Sequence, residues 1–406
     1  MICQFSFKNF MSYKDETVFD FQAAAIPEFD DSLIRQDKAS SLLTTGVVYG
    51  PNGGGKTNLL KAISCLISMV VKPVADLQKT SGSSIFQMSV PCIPFLLDTE
   101  TRESPTEFQV YFRTNGNEYR YYIAVLDGVI EEESLTWRTI GGKKTGLLFS
   151  RNSNVVTPGP SLKKERVNTQ VNPKLPYLSF LAINYDFSAI REVFSWFESC
   201  IIRNYANPIV DHRLYVLGNP QEKNMLLRAL HDLDIDIADY KFDRDEQKLF
   251  TIRKVNDKLY TFPFEYESDG TRKMLVSLPV LLLALRQGRF VVIDELDAKL
   301  HPKLLRYIIR LFHDPEINKN GAQLLFTSHD LSTMKNDVFR RDEIWFAFEN
   351  DAHESSIYSL YDIRDENGKH INNTAAYDKQ YLEGRYGADP YLKNHLREVW
   401  DALVAD

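Results

Sequence analysis

The chain has 406 residues, a length for one large domain or two smaller ones, and its 44% hydrophobic and 25% charged content excludes disorder as the main theme. A net charge of -7 means that any nucleic-acid surface has to be a local patch. Four dispersed cysteines (Cys3, Cys65, Cys92, Cys200) form no C-x-x-C pair, which excludes a disulfide framework or zinc knuckle and reads as buried thiols of a reducing compartment.

Residues 1–10 lack the charged and apolar regions of a signal peptide. Apolar runs such as residues 278–285 are too short to cross a bilayer. A cytoplasmic protein without a membrane partner is expected. Cys3, Phe5 and Phe7 alternate with Gln4 and Ser6, as a strand requires, and residues 17–21 read as a second strand. Residues 23–41 read as an irregular insertion. Residues 42–49 end in the apolar strand Val47-Val48-Tyr49. In the next segment Leu59, Leu60, Ile63, Leu66, Ile67 and Val70 form one helical stripe, with Pro73 just beyond the predicted end. Residues 107–137 read as an antiparallel meander punctuated by Asn115-Gly116 and Asp127-Gly128. Residues 152–176 read as a mobile loop. Helices are predicted over 188–203 and 222–233, and a hairpin over 248–264. Thereafter helix and strand alternate: 272–286, 290–293, 303–312, 323–327, 331–338 and 343–348, the pattern of a parallel sheet covered by helices. There is no internal repeat and no long heptad run.

Four motifs lie on this frame. Gly50-Pro51-Asn52-Gly53-Gly54-Gly55-Lys56-Thr57 fits G-x-x-x-x-G-K-[ST] and lies between an apolar strand and an amphipathic helix, the context a phosphate-binding loop needs. Glycines let the loop turn its amides inward around a polyphosphate, and the helix N-terminus favours the anion. Lys56 then reaches the terminal phosphates and the Thr57 hydroxyl holds Mg2+. Val291-Val292-Ile293-Asp294-Glu295 is an apolar strand ending in two carboxylates, Asp294 for the Mg2+ shell and Glu295 to orient and deprotonate a water. Thr327-Ser328-His329 ends the next strand and offers a γ-phosphate contact. Ser268-Asp269-Gly270-Thr271 precedes a helix; Ser268 reads as an N-cap, and the helix start can face a second nucleotide. Alone, a strand ending in acids or a lone histidine is weak. Behind a phosphate loop the set is strong.

Together these motifs resemble the head of an ABC-type ATPase. The opening Phe7-Lys8-Asn9-Phe10-Met11-Ser12-Tyr13, the loop with its flank Asn58-Leu59-Leu60-Lys61-Ala62-Ile63, and Asp294-Glu295-Leu296-Asp297 through Leu300-His301-Pro302 are similar to the SMC/RecF/OLD-like branch. Ser268-Asp269-Gly270-Thr271 resembles the S-[DE]-G-T variant of the stand-alone, OLD-like AAA-family ATPases, many of them bacterial defence proteins. The segment 381–390 has the same flavour.

The resemblance implies an α/β P-loop fold with ABC head architecture: a mixed sheet, an antiparallel meander lobe and a helical insert. It implies one head over 1–406, divided into an N-terminal lobe (1–150), a variable loop and insert (151–265), and a lobe carrying signature, Walker B, D-loop and switch histidine (266–406). ATP and Mg2+ are the implied cofactors. Two heads are expected to sandwich two ATP molecules, with Ser268 and Gly270 touching the γ-phosphate held by the other head and Asp297 communicating between sites. Asp269 stands where transporters carry a glycine, which argues against transporter use. For a Q-loop glutamine the candidates are Gln87 and Gln170.

The segment between meander and signature holds only short helices, so no long coiled-coil arm is expected. About 77 residues follow His329 (406 minus 329), without a recognisable Glu plus Asp-x-Asp set, so a nuclease in cis is not expected. The reading is a sensor or regulatory ATPase of a bacterial anti-phage, abortive-infection system. It would act as a homodimer or larger homo-oligomer, control a separate nuclease or toxin, and take DNA or a phage protein as trigger. The alternatives are a RecF-like DNA-repair clamp and an ATP-dependent scaffold with negligible turnover. Lys143, Lys144, Arg151, Lys163, Lys164 and Arg166 form the candidate nucleic-acid patch, with a solvated loop the favoured reading.

Overall fold

The computed structural model describes residues 1–78, 90–204, 220–243, 248–365 and 368–388, and the elements named below belong to those residues. The sheet that carries the phosphate loop has the order β16-β15-β3-β14-β13-β9. Its strands are β3 (Thr45–Tyr49), β9 (Ile201–Asn204), β13 (Phe290–Asp294), β14 (Gln323–Thr327), β15 (Ile344–Glu349) and β16 (Ser355–Ser359). All neighbours run parallel except the β15–β16 hairpin. Strands β3, β13 and β14 are buried along their whole length, as a sheet covered on both faces demands.

Alternate residues of these strands feed two cores. Val48, Val292 and Leu325 pack with Leu59, Ile63 and Leu66 of α1 (Lys56–Gln78), under the helices α4 (Tyr177–Asn184) and α5 (Ser188–Ser199). Val47, Val291, Ile293 and Phe326 pack on the other face with Met274 and Leu278 of α7 (Asp269–Gln287) and Leu305 and Ile309 of α8 (Pro302–His313). The helix α6 (Pro220–Asp232) adds Leu226 and Leu230 to this second core. Short helices cover 99–102 (α2), 160–164 (α3) and 377–382 (α9).

A second, seven-stranded sheet is antiparallel throughout, in the order β2-β1-β4-β5-β6-β7-β8. Its members are β1 (Ile2–Lys8), β2 (Thr17–Asp20), β4 (Thr106–Thr114), β5 (Asn117–Leu126), β6 (Val129–Thr139), β7 (Gly146–Asn152) and β8 (Val155–Pro158). Both turn dipeptides read in the sequence adopt positive φ at each residue: Asn115 +47° with Gly116 +79°, and Asp127 +49° with Gly128 +75°. A third sheet joins β10 (Asp239–Asp243), β11 (Lys248–Val255) and β12 (Lys258–Pro263). The expected mixed α/β fold with an antiparallel lobe and an insert is therefore present.

Several local expectations change. The helix predicted over 188–203 ends at Ser199, and Ile201–Asn204 is instead the edge strand β9, paired to β13. The apolar spacing runs on through Ile201, so periodicity alone gave no stop. α1 continues through Pro73 to Gln78. By length and apolarity α1 is also the one described helix that meets the test for a membrane span, contrary to the reading that every apolar run is too short; it is mostly buried and begins in the phosphate loop, as a core helix. In place of a helix over 331–338 there is a 3-10 turn, Leu331–Thr333, capped by Asp330. The supposed mobile loop 152–176 contains β8 and α3.

Two buried arginines fix loops. Arg340 is fully buried, pairs with Asp342 at 2.9 Å and donates to the carbonyls of Ala24 and Glu28, which clamps the 23–41 insertion against the parallel-sheet layer. Arg151 is buried and donates to the carbonyls of Ser153, Leu175 and Pro173, so it leaves the candidate basic patch. Of the thiols, Cys3, Cys65 and Cys200 are buried and Cys92 is half-buried; burial pushes Cys3 and Cys200 up to about 12. Gln87 and residues 389–390 lie outside the described residues.

Candidate nucleotide site

β3 delivers the chain into the turn 50–55, and α1 begins at Lys56. The loop needs its glycines for a local reason. At Gly50, φ is +143° and an added Cβ would stand 2.0 Å from the Ala347 carbonyl oxygen; at Gly55, φ is +98° and the Cβ would stand 2.5 Å from Ser355 Oγ. Only glycine lets the β15–β16 hairpin pass so close beneath the loop. The N-terminal motif buttresses the other side. Tyr13 donates its hydroxyl to the Gly55 carbonyl at 3.2 Å, and Asn58 Nδ2 donates to Ser12 Oγ at 2.9 Å. Asn9, with its own φ at +56°, donates to the carbonyls of Thr101 at 2.7 Å and Ser104 at 2.9 Å.

Lys56 Nζ folds back onto the carbonyls of Gly50 and Pro51, each at 2.9 Å. Burial draws its pKa down, opposed by the carboxylates of Asp294, Glu295 and Asp297. Thr57 Oγ1 donates to Asp294, 3.0 Å from Oδ2. Thr327 Oγ1 donates to Asp294 Oδ1 at 2.7 Å and accepts from the Glu295 amide at 2.7 Å, so one hydroxyl sets both acids. Asp297 Oδ2 accepts from the His329 amide at 2.8 Å. Asn52, Lys56, Thr57, Asp294, Glu295 and His329 line a single cleft of about 280 Å3, open to solvent.

The donor set can be tested against the expected cofactors. Thr57 and Asp294 supply one hydroxyl and one carboxylate. Mg2+ takes few protein oxygens and fills its octahedron with water and phosphate. Among the described residues no group of three or more His, Cys, Asp or Glu would hold a metal without such help. The pair therefore fits Mg2+ bound together with a polyphosphate. The loop glycines, the α1 N-terminus and a lysine held only by carbonyls fit the polyphosphate.

The structure thus gathers Pro51, Asn52, Gly53, residues 55–58, Asp294, Glu295 and His329 around one cleft, whereas Gly50 and Gly54 lie against the Ala347 carbonyl and do not line it. It leaves Ser268 and Gly270 outside it. Ser268 is the exposed N-cap of α7, where its Oγ accepts from the Thr271 amide at 3.2 Å. Asp269 pairs with Lys299 at 3.0 Å and with Arg272. Asp297 also stands back from the cleft wall, and its Oδ1 is buried without a hydrogen-bond partner. Gln170 is an exposed residue of a turn whose amide donates to Asn168, and it does not line the cleft. The sequence reading missed two neighbours of the acids. Thr327 bridges them, and its only signal was its place before Ser328-His329. Asn204 stands opposite Asp294 in the β9–β13 register; its signal, the β-branched pair Ile201-Ile202, was hidden inside a helical period.

With this geometry in hand, the family relation is plain. The profile of the family described as "AAA domain, putative AbiEii toxin, Type IV TA system" matches residues 47–335, more than half of the chain, including the phosphate loop, the Ser268 segment, Asp294-Glu295 and His329. The chain belongs to that family, and its class is that of the P-loop ATPases. No curated protein matches it. Among solved structures it is similar to the one titled "Crystal structure of the SmcHead bound to the C-winged helix domain of ScpA", at 12% identity over 88% of this chain and 97% of that chain, with a TM-score of 0.42. That likeness is too distant to carry residue roles across.

Proposed function

We propose that this protein hydrolyses ATP with Mg2+, that two copies pair face to face to complete the sites, and that it serves as the sensing and regulatory subunit of an abortive-infection module acting on a separate toxic effector. The observation that supports the hydrolytic part is the convergence of Lys56, Thr57, Asp294, Glu295 and His329 on one cleft. Lys56 exchanges the Gly50 and Pro51 carbonyls for oxygens of the terminal phosphates. Thr57 and Asp294 hold Mg2+, which when bound neutralises charge on the phosphates. Glu295 orients the attacking water and accepts its proton. His329 contacts the γ-phosphate. Asn204, beside Asp294, takes the Q-loop place that Gln170, outside the cleft, does not fill.

The pairing is supported by the exposed α7 start, whose Ser268 and Gly270 do not line the cleft of their own chain. The defence role is supported by the family description, which names a putative toxin of a type IV toxin–antitoxin system. Replacing Glu295 by Gln should leave ATP binding intact and lower turnover about 10²- to 10⁴-fold. Phosphate release at the wild-type rate from the variant would contradict the assignment.

A further inference from the structure

Lys273 stands on the second turn of α7 and is 1% exposed. A buried ammonium is costly unless its donors are used. Here they are spent on one short stretch of main chain: Nζ donates to the Glu295 carbonyl at 2.8 Å and to the Ala298 carbonyl at 2.7 Å. Neither contact is a salt bridge. The lysine grips the backbone of the turn that follows β13 and leaves its carboxylates free for other work.

That turn is strained where it matters. Glu295 has a φ of +52°, the left-handed region that side chains with a Cβ rarely enter. Such a residue persists only when its surroundings over-determine it. At Glu295 both flanking groups of the main chain are held: the amide by Thr327 Oγ1 at 2.7 Å and the carbonyl by Lys273 at 2.8 Å. Release of the carbonyl lets the residue relax to an ordinary conformation, and the carboxylate then turns away from the cleft. The same turn meets the start of α7 at two further points. Asp269 pairs with Lys299 at 3.0 Å, and a Cβ on Gly270 would lie 3.2 Å from the Lys299 carbonyl oxygen.

We propose that Lys273 is a positioning residue for hydrolysis: its two hydrogen bonds hold Glu295 in the left-handed conformation that aims the carboxylate, and they tie that aim to the position of the α7 start. The inference rests on the reading of Glu295 as the group that activates water. It adds a route by which a phosphate engaged at Ser268 and Gly270 of one copy alters the geometry of Glu295 in the same copy.

The test compares wild type, Glu295→Gln, Lys273→Met and Lys273→Arg by steady-state ATPase kinetics, with ATP affinity measured separately through a fluorescent ATP analogue. Methionine keeps the apolar stem and removes every donor; arginine restores donors. The expected result is a kcat about 10- to 100-fold lower in Lys273→Met with KM and affinity within about threefold, and partial recovery in Lys273→Arg, the pattern of lost transition-state stabilisation rather than lost binding. Wild-type kcat in Lys273→Met while Glu295→Gln is inactive overturns this inference alone. A fall in kcat, affinity and melting temperature together, unrelieved by arginine, also overturns it, because a purely structural lysine behaves that way. Glu295→Gln turning over like wild type overturns the base assignment and this inference with it. If Lys273→Met does not melt cooperatively, Lys273→Arg decides. A folded Arg variant with unchanged KM and at least about a tenth of wild-type kcat supports the donor role, and one below that limit overturns it.

Discussion

The two large sheets bury charge in opposite ways. In the antiparallel sheet the buried ions are closed off. Glu133 accepts the amides of Tyr177 at 2.6 Å and Leu178 at 3.0 Å and the Tyr121 hydroxyl at 2.9 Å, with the Arg151 guanidinium 3.9 Å away. Arg113 pairs with Glu118 at 2.9 Å, and Arg138 shares the same carboxylate. These groups tie α4 and neighbouring strands together, and of them only Arg138 reaches solvent. At the carboxyl ends of the parallel strands the bonds are provisional. Lys56 rests on two carbonyls and Thr57 on Asp294, partners that a phosphate and a metal ion can replace. Backbone strain follows the same division: Gly50, Gly55 and Glu295 lie at the parallel-strand ends, whereas positive φ in the antiparallel meander is confined to its hairpin turns. Closed networks make structure; exchangeable ones make a site.

Mutations should separate the two. Of the variants that contrast the two sheets, the largest effect is expected from Lys56→Ala, which should lower ATP turnover on the order of 10²- to 10³-fold while the melting temperature stays near wild type. Turnover that survives, or a collapse in melting temperature, would place Lys56 among the structural charges. Glu133→Leu should do the reverse. It strands the Tyr177 and Leu178 amides and the Arg151 charge, at a cost of about 3–5 kcal/mol in urea denaturation, with the KM for ATP unchanged in the folded fraction. Ser268→Ala comes third. As an N-cap loss it should cost about 1 kcal/mol of stability, yet it should abolish ATP-driven pairing if the α7 start contacts the partner's nucleotide. A variant that pairs normally leaves Ser268 as a cap alone.

The smallest expected effect is a pH dependence of stability. Burial lowers the Lys273 pKa to about 8 from the ordinary 10.5, opposed by Asp297 and Glu295 and assisted by Lys299. Between these values the unfolded chain binds more protons than the folded one, so stability relative to Lys273→Met rises with pH across that window. Below pH 8 the burial penalty is present in full. Denaturation on either side of pH 8 checks the sign, and a wild-type stability that falls relative to Lys273→Met as pH rises would contradict it.

The fold and the cleft were legible where a local rule carried them. The P-loop, Asp294-Glu295 and the two hairpin dipeptides each declare themselves within eight residues. β9 was not legible, because Ile201 continues the apolar spacing of α5 and only pairing to β13 makes it a strand. Arg151 read as part of a basic surface, since nothing nearby in sequence announces the carbonyls of Leu175 and Pro173 that surround it. Thr327 and Lys273 were invisible for the same reason. Their partners lie 32 and 22 residues away at Glu295, brought close by β14 and α7.

The central claim is that ATP closes two copies over a shared pair of sites, and solution mass tests it most directly. Glu295→Gln, measured with and without Mg-ATP, should be lighter without nucleotide and shift to a dimer or a larger even-numbered assembly with it, while the wild type turns over ATP. A variant that binds ATP and keeps the same mass in both states would contradict the face-to-face pair and the role of Ser268 and Gly270 in it.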